Sequence, residues 1–581
     1  MTQSPHGSSY GSNRPVVMGR NGMVSSGHPL ASQAGMAMLQ KGGNAVDAAI
    51  ATAAALNVVE PLMSGIGGDG FIMVYRKETG KIEICNGTGA APYAATREHY
   101  ADELGGIPLT GIKSVSVPGL VDAWLSAHQR FGSLSLAEVM APAIDLAANG
   151  FPVSQVVAKA IADDALLCEF PTSRAVFTRD GRPLQLGQTM YQKDLARTLQ
   201  AIIDGGREAF YEGDIAKEMV AFSREQGGLL SLEDLADCHC RWQEAISTTY
   251  RGHTIYEAPP NSSGHILLQE LNLVEQFDLR SMGCNTAESI HLMVEAKKLA
   301  FSDREAFMAD PDFIDVPIEG LVSKAYAQDR AGLIDPSRAA TTVLAGNPRS
   351  FQSSFQSGTA ATRSVSAGMG VGRPEEDTTC FAVVDRWGNA VCQLQSIQSA
   401  WGSRLIAGNT GILLNNRMTY WHLDPDHVDC LQPGKRVRHT MNPVMMFRGG
   451  QDTSNGNATG EELVLVCGTP GADTQVQTNL QMITHLVDFG MDVAEAVEAP
   501  RWRNTHSPTE SNVPHVCDDL LHMESRFPAD VRTGLESRGH QLNVVGPWGA
   551  AGSEVMIQID PQEGSIKGAA DPRRDGYAIG W

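Results

Sequence analysis

The sequence predicts an α/β protein in which strands and helices pack as layers, and three stretches carry this prediction. A buried strand, a Trp387-Gly388-Asn389 turn and a returning strand follow one another from Thr378 to Cys392. The stretch 45–56 is so rich in Ala that it predicts a helix packed closely between other layers. Another apolar strand, 463–467, breaks at the turn Gly468-Thr469-Pro470-Gly471 and runs into a helix.

Composition excludes several classes of partner. The 581 residues carry a net charge of -21, which disfavours nucleic acid and anionic membrane surfaces. No apolar run is long enough to span a bilayer, and residues 1–15 are polar and predict a disordered tail without the apolar core of an export signal. The ten cysteines lack the paired spacing of a zinc site. We therefore expect a cytoplasmic protein with reduced thiols and without a metal or cofactor.

The chain in order contains further recognisable elements. A helix is expected over 30–40, and Asn44 can cap the Ala-rich helix. The glycine-rich stretch 64–70 precedes a strand, 71–75, so it predicts a close backbone turn and not a phosphate loop. Thr286 can cap a long helix. Four charged residues are expected on the solvated face of that helix: Lys297, Lys298, Asp303 and Arg304.

The strongest chemical signal is the Thr pair at the junction of a loose segment and a strand. Residues 339–377 are dominated by Ser, Thr, Gly and Ala, which predicts a flexible, cleavable linker that ends directly at Thr378. If the bond after Asp377 breaks, Thr378 gains an α-amine beside its hydroxyl, and that amine can act as the base for a weak nucleophile. The alternative is that Thr378 and Thr379 are β-branched residues that simply begin a strand.

The turn 468–473 offers a second element of such a site. A strand, a glycine turn and a helix N-terminus present several free backbone N–H groups in one place. Such a group of donors suits a developing oxyanion, although an ordinary strand-to-helix turn has the same pattern.

Five motifs in this order resemble the γ-glutamyltranspeptidase family over nearly the whole chain. They are Gly42-Gly43-Asn44-Ala45-x-Asp47-Ala48, Asp377-Thr378-Thr379, Gly388-Asn389-Ala390-Val391, Gly411-Ile412-Leu413-Leu414-Asn415-Asn416 and Gly468-Thr469-Pro470-Gly471. The resemblance implies a four-layered αββα sandwich of the N-terminal nucleophile hydrolase type. It also implies a precursor that cleaves itself into a large subunit, 16–377 after the tail, and a small subunit, 378–581, which stay together as a heterodimer.

The resemblance also assigns catalytic roles. Thr378 would be the nucleophile, both in self-cleavage after Asp377 and in attack on an amide substrate. Ser396 stands where the family has a second Thr that supports the nucleophile's amine. Gly471 and Ala472 stand where the family has a Gly pair whose N–H groups form the oxyanion hole, and Ala keeps its N–H unless the position needs positive φ.

The positions that hold a γ-glutamyl group in the family are changed here. Thr88 replaces an Arg that binds the α-carboxylate, and Tyr420 replaces an Asp that binds the α-amine. The other substitutions in this set are Gln398 for Asn, Arg417 for Gln, and His439 and Thr440 for a Ser pair. The expected result is a site without the carboxylate fork and without the amine's anion, and with Arg417 as an added cation. Without the motif alignment, a structural ion pair explains Arg417 about as well as a substrate contact.

Three hypotheses follow. The first is a self-processing amidase of this family that cleaves γ-glutamyl or related acyl amides. The second narrows it to a side branch that resembles cephalosporin (glutaryl) acylases or oxamate amidohydrolases, which accept acyl groups without an α-amine. The third is an unprocessed pseudoenzyme kept as a binding protein, which a denaturing gel would reveal as a single band.

Overall fold

The computed structural model describes residues 12–353, 378–449 and 460–581. This part of the chain contains strands β1 (Val17–Gly19), β2 (Gly22–Ser26), β3 (Asp69–Arg76), β4 (Lys81–Gly87), β5 (Phe151–Pro152), β6 (Thr178–Arg179), β7 (Arg182–Pro183), β8 (Thr189–Met190), β9 (Arg241–Glu244), β10 (Ile246–Tyr250), β11 (His253–Glu257), β12 (Thr379–Asp385), β13 (Ala390–Ser396), β14 (Val444–Arg448), β15 (Glu462–Gly468), β16 (Trp502–Thr505), β17 (Leu520–Glu524), β18 (Leu542–Val545), β19 (Val555–Asp560), β20 (Ser565–Ala570) and β21 (Tyr577–Gly580).

Seventeen α-helices lie among the described residues. They are α1 (Pro29–Gln40), α2 (Ala45–Val59), α3 (Leu120–Phe131), α4 (Leu136–Asn149), α5 (Gln155–Asp163), α6 (Pro171–Phe177), α7 (Lys193–Tyr211), α8 (Asp214–Glu225), α9 (Leu232–Ala236), α10 (Gly264–Val274), α11 (Leu279–Met282), α12 (Ala287–Phe307), α13 (Ile318–Leu321), α14 (Lys324–Ala331), α15 (Thr474–Val487), α16 (Val493–Glu498) and α17 (Ala529–Ser537). In the described ranges, no helix is both long enough and apolar enough to cross a membrane.

Two seven-stranded sheets form the centre of the molecule. The first sheet has the order β21-β2-β12-β13-β3-β4-β9, and the second has the order β1-β20-β19-β15-β14-β11-β10. A smaller sheet, β16-β17-β18, lies in the C-terminal part. Each of the two large sheets contains strands from both sides of the expected cleavage site.

Alternating side chains of the two sheets build the four layers. Cys380, Ala382 and Val384 of β12 face the second sheet, where they pack with residues such as Val466. The intervening Phe381 and Val383 face helices α1 to α4. The outer face of the second sheet is covered in the same way by α10, α12 and α15. The predicted αββα sandwich is thereby confirmed, with helices on both outer faces and two apolar sheets between them.

Helix α2 shows why the Ala-rich stretch is helical and buried. Asn44 accepts hydrogen bonds from the N–H groups of Val46 and Asp47, and the Asp47 side chain accepts from the N–H of Asn44, which completes a capping box. Every residue of α2 is buried. The small side chains allow the helix to approach both the first sheet and the neighbouring helices closely, as the sequence predicts.

The prediction of a solvated face on α12 is wrong. The capping residue Thr286 is as expected, but Lys297, Lys298, Asp303 and Arg304 are all buried. They are neutralised or hydrogen-bonded locally: Lys298 pairs with Glu295 at 3.0 Å, and Asp303 accepts from the Tyr326 hydroxyl at 2.8 Å. The C-terminal part of the chain covers this helix face, since Arg304 donates to the carbonyl of Thr509 at 2.6 Å.

Parts of the two segments predicted to be unstructured, 1–15 and 339–377, are ordered where the structure describes them. Asn13 and Arg14, in the expected tail, donate backbone N–H groups to the Glu498 carboxylate at 2.6 and 2.8 Å. Residues 339–353 of the expected linker pack on helices α12 to α14, where a 3₁₀ turn forms at Pro348–Phe351. The rest of that linker, including Asp377, lies outside the described residues.

Candidate active site

Strand register places three of the predicted site residues in one row across the first sheet, together with Asp69, which the sequence did not single out. Thr379 pairs with Gln395, so Thr378 lies opposite Ser396, and Ser396 pairs with Asp69 on its other side. Gly70 pairs with Gly87, which brings Thr88 beside Asp69. We call Thr378, Ser396, Asp69 and Thr88 the catalytic row. With strands about 4.8 Å apart, Thr378 and Asp69 are separated by about 10 Å along the row.

Thr378, the predicted nucleophile, and Ser396 are in contact. The Thr378 hydroxyl donates to the Ser396 hydroxyl at 3.2 Å, and the same Ser396 oxygen accepts from the N–H of Gln398 at 2.9 Å. Thr379 is anchored separately, because its hydroxyl donates to Glu60 at 2.8 Å. Thr378 therefore stands at the head of β12 with its hydroxyl beside Ser396. Support of the Thr378 amine by Ser396, which the resemblance implies, stays a prediction.

The predicted oxyanion turn, residues 468–473, lies over the start of β12. A Cβ at Gly468 would come within 2.8 Å of the Cys380 sulfur, so β15 packs directly on β12 two residues from Thr378. Gly471 has φ +113° and Ala472 has φ +48°. The N–H groups of these two residues donate to no other described group, and they precede α15. Two backbone donors are thus available near the nucleophile.

Arg417 lies in a buried ion pair with a residue that the sequence did not single out. Its Nε donates to Asp69 Oδ2 at 3.2 Å, and its guanidinium lies 4.8 Å from the centre of the Tyr420 ring. The other Asp69 oxygen accepts from the N–H of Gly89 at 2.9 Å. Arg417 Nη2 is buried and has no hydrogen-bond partner among the described residues. The pair is therefore neutral overall but leaves one guanidinium donor unused.

His439 completes this group as a neutral side chain. Its Nε2 lies 3.6 Å from Asp69 Oδ2. Burial, followed by the positive charge of Arg417, lowers the pKa of His439 to about 4, although Asp69 opposes the shift. His439 therefore adds no charge to the pocket near neutral pH.

The remaining predicted residues are buried in the same region, each with its own contacts. The Thr88 hydroxyl donates to Asn86 Oδ1 at 2.7 Å and accepts from Asn261 Nδ2 at 3.2 Å. The Thr440 hydroxyl is 3.5 Å from the Tyr420 hydroxyl, too far for a strong hydrogen bond. Gln398 has φ +87°, and its Nε2 is buried without a described hydrogen-bond partner.

The sequence predicts a site without an anion, and this prediction is wrong. Asp69 supplies a carboxylate within 3.2 Å of Arg417, in the row that contains the nucleophile's partner. The signal was present in the sequence, since Asp69 is the one charged residue in the glycine-rich stretch 64–70. It was interpreted only as part of a close backbone turn, because the sequence alone does not show which side chains meet across strands.

Among the residues that the structure describes, two groups of His and Glu side chains could hold a metal ion, and neither group includes a residue of the catalytic row. The ligand sets are His291 with Glu295 and His540, and Glu305 with His422 and His427. In each group a cation already neutralises the carboxylate: Lys298 lies 3.0 Å from Glu295, and Arg438 lies 2.8 Å from Glu305.

Comparison with known proteins decides the family. The sequence model of γ-glutamyltranspeptidase matches residues 31–581. The chain belongs to the γ-glutamyltranspeptidase family. It is 38% identical to the glutathione hydrolase-like YwrD proenzyme of Bacillus subtilis (strain 168), over 97% of this chain and 99% of that protein. It is also 36% identical to the acylase ACY 1 proenzyme of Pseudomonas sp. (strain SE83), over 97% and 94% of the two chains.

A solved structure gives the same result for the fold. The cephalosporin acylase from Bacillus halodurans superimposes with a TM-score of 0.85 at 33% identity, over 100% of this chain and 99% of that one. This member of the γ-glutamyltranspeptidase family is therefore an amide-hydrolysing enzyme with the N-terminal nucleophile hydrolase fold. Its relatives include both a glutathione hydrolase-like protein and acylases, and they leave its acyl preference open.

Proposed function

We propose that this protein is a self-processing amide hydrolase in which Thr378 is the nucleophile. Cleavage of the bond between Asp377 and Thr378 would release the α-amine of Thr378 as the general base. The Thr378 hydroxyl then attacks the substrate carbonyl and its proton passes to this amine. The oxyanion is stabilised by the N–H groups of Gly471 and Ala472. The C–N bond breaks, the leaving amine takes the proton, and water hydrolyses the resulting ester to restore Thr378.

We further propose that the preferred acyl group ends in a carboxylate and lacks an α-amine, as in a glutaryl or oxalyl monoamide. One observation carries this proposal: Arg417 retains an unused Nη2 donor, whereas both oxygens of Asp69 are already engaged. An incoming carboxylate can accept from Nη2 without breaking a contact. An incoming ammonium would have to compete with Arg417 for Asp69, close to a cation of like sign.

Asp69 also gives a reason to keep γ-glutamyl amides as the alternative. A zwitterionic α-amino acid head group needs one anion and one cation, and Asp69 with Arg417 provides both. In that case Asp69 would bind the ammonium and Arg417 the α-carboxylate, in place of the residues that the family uses for these roles.

A panel of amides that differ only in the acyl group tests the proposal. Glutaryl, oxalyl, γ-glutamyl and butyryl 4-nitroanilides are compared, and butyryl serves as the control that has no carboxylate. We expect the glutaryl or oxalyl amide to equal or exceed the γ-glutamyl amide in kcat/KM. Arg417→Gln should lower kcat/KM for carboxylate-bearing amides by about tenfold or more, because a charge-assisted hydrogen bond is lost, and should affect butyryl less.

Asp69→Asn separates the two alternatives. If Asp69 only holds Arg417, the substitution should impair all carboxylate-bearing amides to a similar degree. If Asp69 binds the ammonium, γ-glutamyl turnover should fall selectively. Wild-type enzyme that prefers γ-glutamyl over both amine-free amides by a wide margin would refute the proposed acyl preference.

The cytoplasmic location remains a proposal. None of the ten cysteines, all of which lie in the described ranges, forms a disulfide, and this suits a reducing compartment. Subcellular fractionation with detection of the protein tests it, and recovery outside the cytoplasmic fraction would contradict it.

A further inference from the structure

Two histidines face each other across the boundary between the expected subunits. His291 lies on α12 of the large subunit, and His540 lies in the turn between α17 and β18 of the small one. His291 Nδ1 and His540 Nε2 are 2.8 Å apart, and both residues are buried. Helix α17 packs closely on the start of α12, since a Cβ added at Gly534 would lie 2.7 Å from the Ala287 Cβ. The two imidazoles therefore meet inside a packed interface.

The hydrogen bonds of His291 determine which of its nitrogens carries the proton. Its Nε2 lies 2.8 Å from the carbonyl oxygen of Asp335, which can only accept, so Nε2 is the donor. In the neutral ring, Nδ1 therefore presents its lone pair to His540. Histidines that bind a metal through one nitrogen commonly donate from the other nitrogen to a carbonyl oxygen, which fixes the orientation of the ring. His291 has this arrangement.

A carboxylate stands beside the two imidazoles. Glu295 lies four residues after His291 on α12, and side chains at this spacing share one face of a helix. One ligand atom from each of Glu295, His291 and His540 lies within 4.8 Å of the other two. Glu295 is 3% exposed, and its Oε2 accepts from the N–H of Ala340 at 3.0 Å. Its Oε1 is buried and accepts no hydrogen bond from the described residues, so it has capacity for a further partner.

Lys298 is the competitor for this carboxylate. Its Nζ lies 3.0 Å from Glu295 Oε1, and it also donates a hydrogen bond to the carbonyl of Ala340 at 2.8 Å. The Ala340 carbonyl gives the ammonium a second acceptor when another cation takes Oε1. A divalent ion attracts the carboxylate with twice the charge of the ammonium and bonds to both imidazoles at the same time.

We propose that His291 Nδ1, the Glu295 carboxylate and His540 Nε2 bind one divalent transition-metal ion. Zn²⁺ is the best match, because it prefers imidazole nitrogen and carboxylate oxygen ligands in a tetrahedral arrangement. A water molecule takes the fourth position. The ion joins α12 to the α17–β18 turn, and so the large subunit to the small one. The site is independent of the proposed hydrolase function, and it revises the expectation from the sequence that the protein holds no metal.

Binding requires a small movement of the two rings. Two nitrogens on one tetrahedral zinc are about 3.3 Å apart, so the rings separate by about 0.5 Å from their hydrogen-bonded distance. The proton shared between His291 Nδ1 and His540 Nε2 moves to His540 Nδ1. Both rings stay neutral, and no net proton is released.

Zinc titration of the complete chain, without a histidine tag, tests the site. The protein is freed of metal with EDTA, dialysed and titrated with zinc chloride against a chromophoric chelator. We expect one zinc per chain and a rise in Tm of about 2 °C when free zinc exceeds its Kd a hundredfold. His540→Gln should weaken zinc binding by about 100-fold or more, because a ligand is lost. Lys298→Met should strengthen it by about tenfold, because the competing cation is removed.

His427→Gln is the matched control, because His427 belongs to the other group of His and Glu side chains, and it should leave the zinc affinity unchanged. Thermal unfolding in EDTA shows whether each variant is folded. Co²⁺ in place of zinc gives a readout that needs no variant, since four-coordinate cobalt absorbs visible light strongly.

Three results would overturn the site: wild-type protein that binds neither zinc nor four-coordinate cobalt, zinc affinity that is unchanged in His540→Gln, and loss of zinc in His427→Gln. Zinc affinity that does not rise in Lys298→Met would exclude Glu295 from the ligand set.

Discussion

Ala472 adopts a backbone conformation that side chains other than glycine rarely take. Its φ is +48°, and a residue with a Cβ pays about 1–2 kcal/mol of strain there. Ala472→Gly removes this strain but makes the unfolded chain more flexible by a similar amount. We expect the glycine variant to stay within about 1 kcal/mol of the wild type in unfolding free energy and to keep its kcat.

Ala472→Val should behave differently, because β-branched residues are the least tolerant of positive φ. If the turn rearranges, one N–H leaves the oxyanion hole, and loss of one such donor lowers kcat by about 100-fold or more. Steady-state kinetics and thermal unfolding measure both effects, with Ala158→Val on α5 as the control. Full activity in the valine variant would show that the Ala472 N–H does not serve as an oxyanion donor.

At the residue scale, sequence motifs predict which residues belong to the candidate site better than they predict which partners those residues contact. Thr378, Ser396 and the turn 468–473 each belong to a motif in the sequence, and the structure brings the hydroxyls of Thr378 and Ser396 together. Their catalytic roles stay predictions. The partner of Arg417 could not be predicted, since Asp69 is 348 positions away. The two side chains meet because residues 414–415 run beside the start of β3, where the Asn415 N–H donates to the Gly67 carbonyl at 3.1 Å. The two interpretations of Arg417, ion pair or substrate contact, also turn out to be compatible, because the ion pair uses only Nε.

At the scale of elements, the β12–β13 hairpin depends on one carboxylate. Asp385 Oδ1 accepts from the N–H groups of Trp387 and Asn389, both at 2.9 Å, and Oδ2 accepts from the N–H of Ala45 at 3.0 Å. It therefore fixes the turn behind the nucleophile strand and also joins the start of α2 to that turn. Burial raises the pKa of Asp385, and its hydrogen bonds oppose the shift.

Asp385→Ala should therefore destabilise the protein by about 2–4 kcal/mol, because several backbone donors lose their acceptor in a largely buried place. Chemical denaturation measures the change, and a pulse of expression followed by a denaturing gel shows whether processing slows. Asp329→Ala, at an exposed position on α14, is the control. Equal stability of the two variants would mean that the turn holds without the carboxylate.

Elements could be predicted where the local pattern and the tertiary environment agree. For the β12–β13 hairpin, α2 and the turn before α15, the structure matches the local prediction. Glycine turns, capping residues and buried apolar runs favour the same conformation in an isolated segment as in the folded protein. The expected solvated face of helix α12 does not match, because segments more than 200 residues away cover the charged side chains, as the contact of Arg304 with Thr509 shows. Periodicity predicts that helix but not which of its faces is solvated.

At the scale of the whole molecule, the interleaved sheets determine the result of cleavage. In the first sheet, β12 and β13 of the expected small subunit lie between β2 and β3 of the large one. Two chains that share both sheets cannot separate without exposing the central core. We expect fragments 1–377 and 378–581 to co-elute in native size-exclusion chromatography and to separate only in denaturant.

Mass spectrometry of the smaller fragment checks the cleavage position. Thr378→Ala should remain one full-length chain, and Thr379→Ala is the control that retains the nucleophile. An N-terminus other than Thr378 would contradict the assignment, as would processing of the Thr378→Ala variant. A single band for the wild type would instead support the unprocessed binding protein considered from the sequence.

The pH dependence of stability is also a property of the whole molecule, because it sums over buried groups in all layers. Burial lowers the pKa of several histidines below 6.5, to about 3 or 4; they are His28, His265, His439, His485 and His515. Between pH 6.5 and pH 4 the unfolded chain binds protons that the folded protein does not. Stability from these groups is therefore lost as the pH falls through that window.

Buried acids act in the opposite direction. Burial raises the pKa of Glu270 and of Glu554 to about 8, so the folded protein holds protons that the unfolded chain releases above pH 4.5. Their stabilisation is lost as the pH rises towards 8. Below pH 6.5 the histidines, which are more numerous, determine how stability changes with pH. Above pH 6.5 only the buried acids contribute to this change. We expect the Tm to be highest near pH 6.5 and to fall on both sides.

Differential scanning fluorimetry from pH 4 to pH 9 measures this profile. Glu554→Gln should make the Tm less dependent on pH between 6.5 and 8, because the amide cannot lose a proton, and Glu536→Gln on the exposed part of α17 is the matched control. The dependence of the Tm on pH below 6.5 should be unchanged in both variants, since the buried histidines are intact. A Tm that rises steadily from pH 6.5 to pH 8 in the wild type would mean that the buried carboxyl groups are not held protonated by the fold.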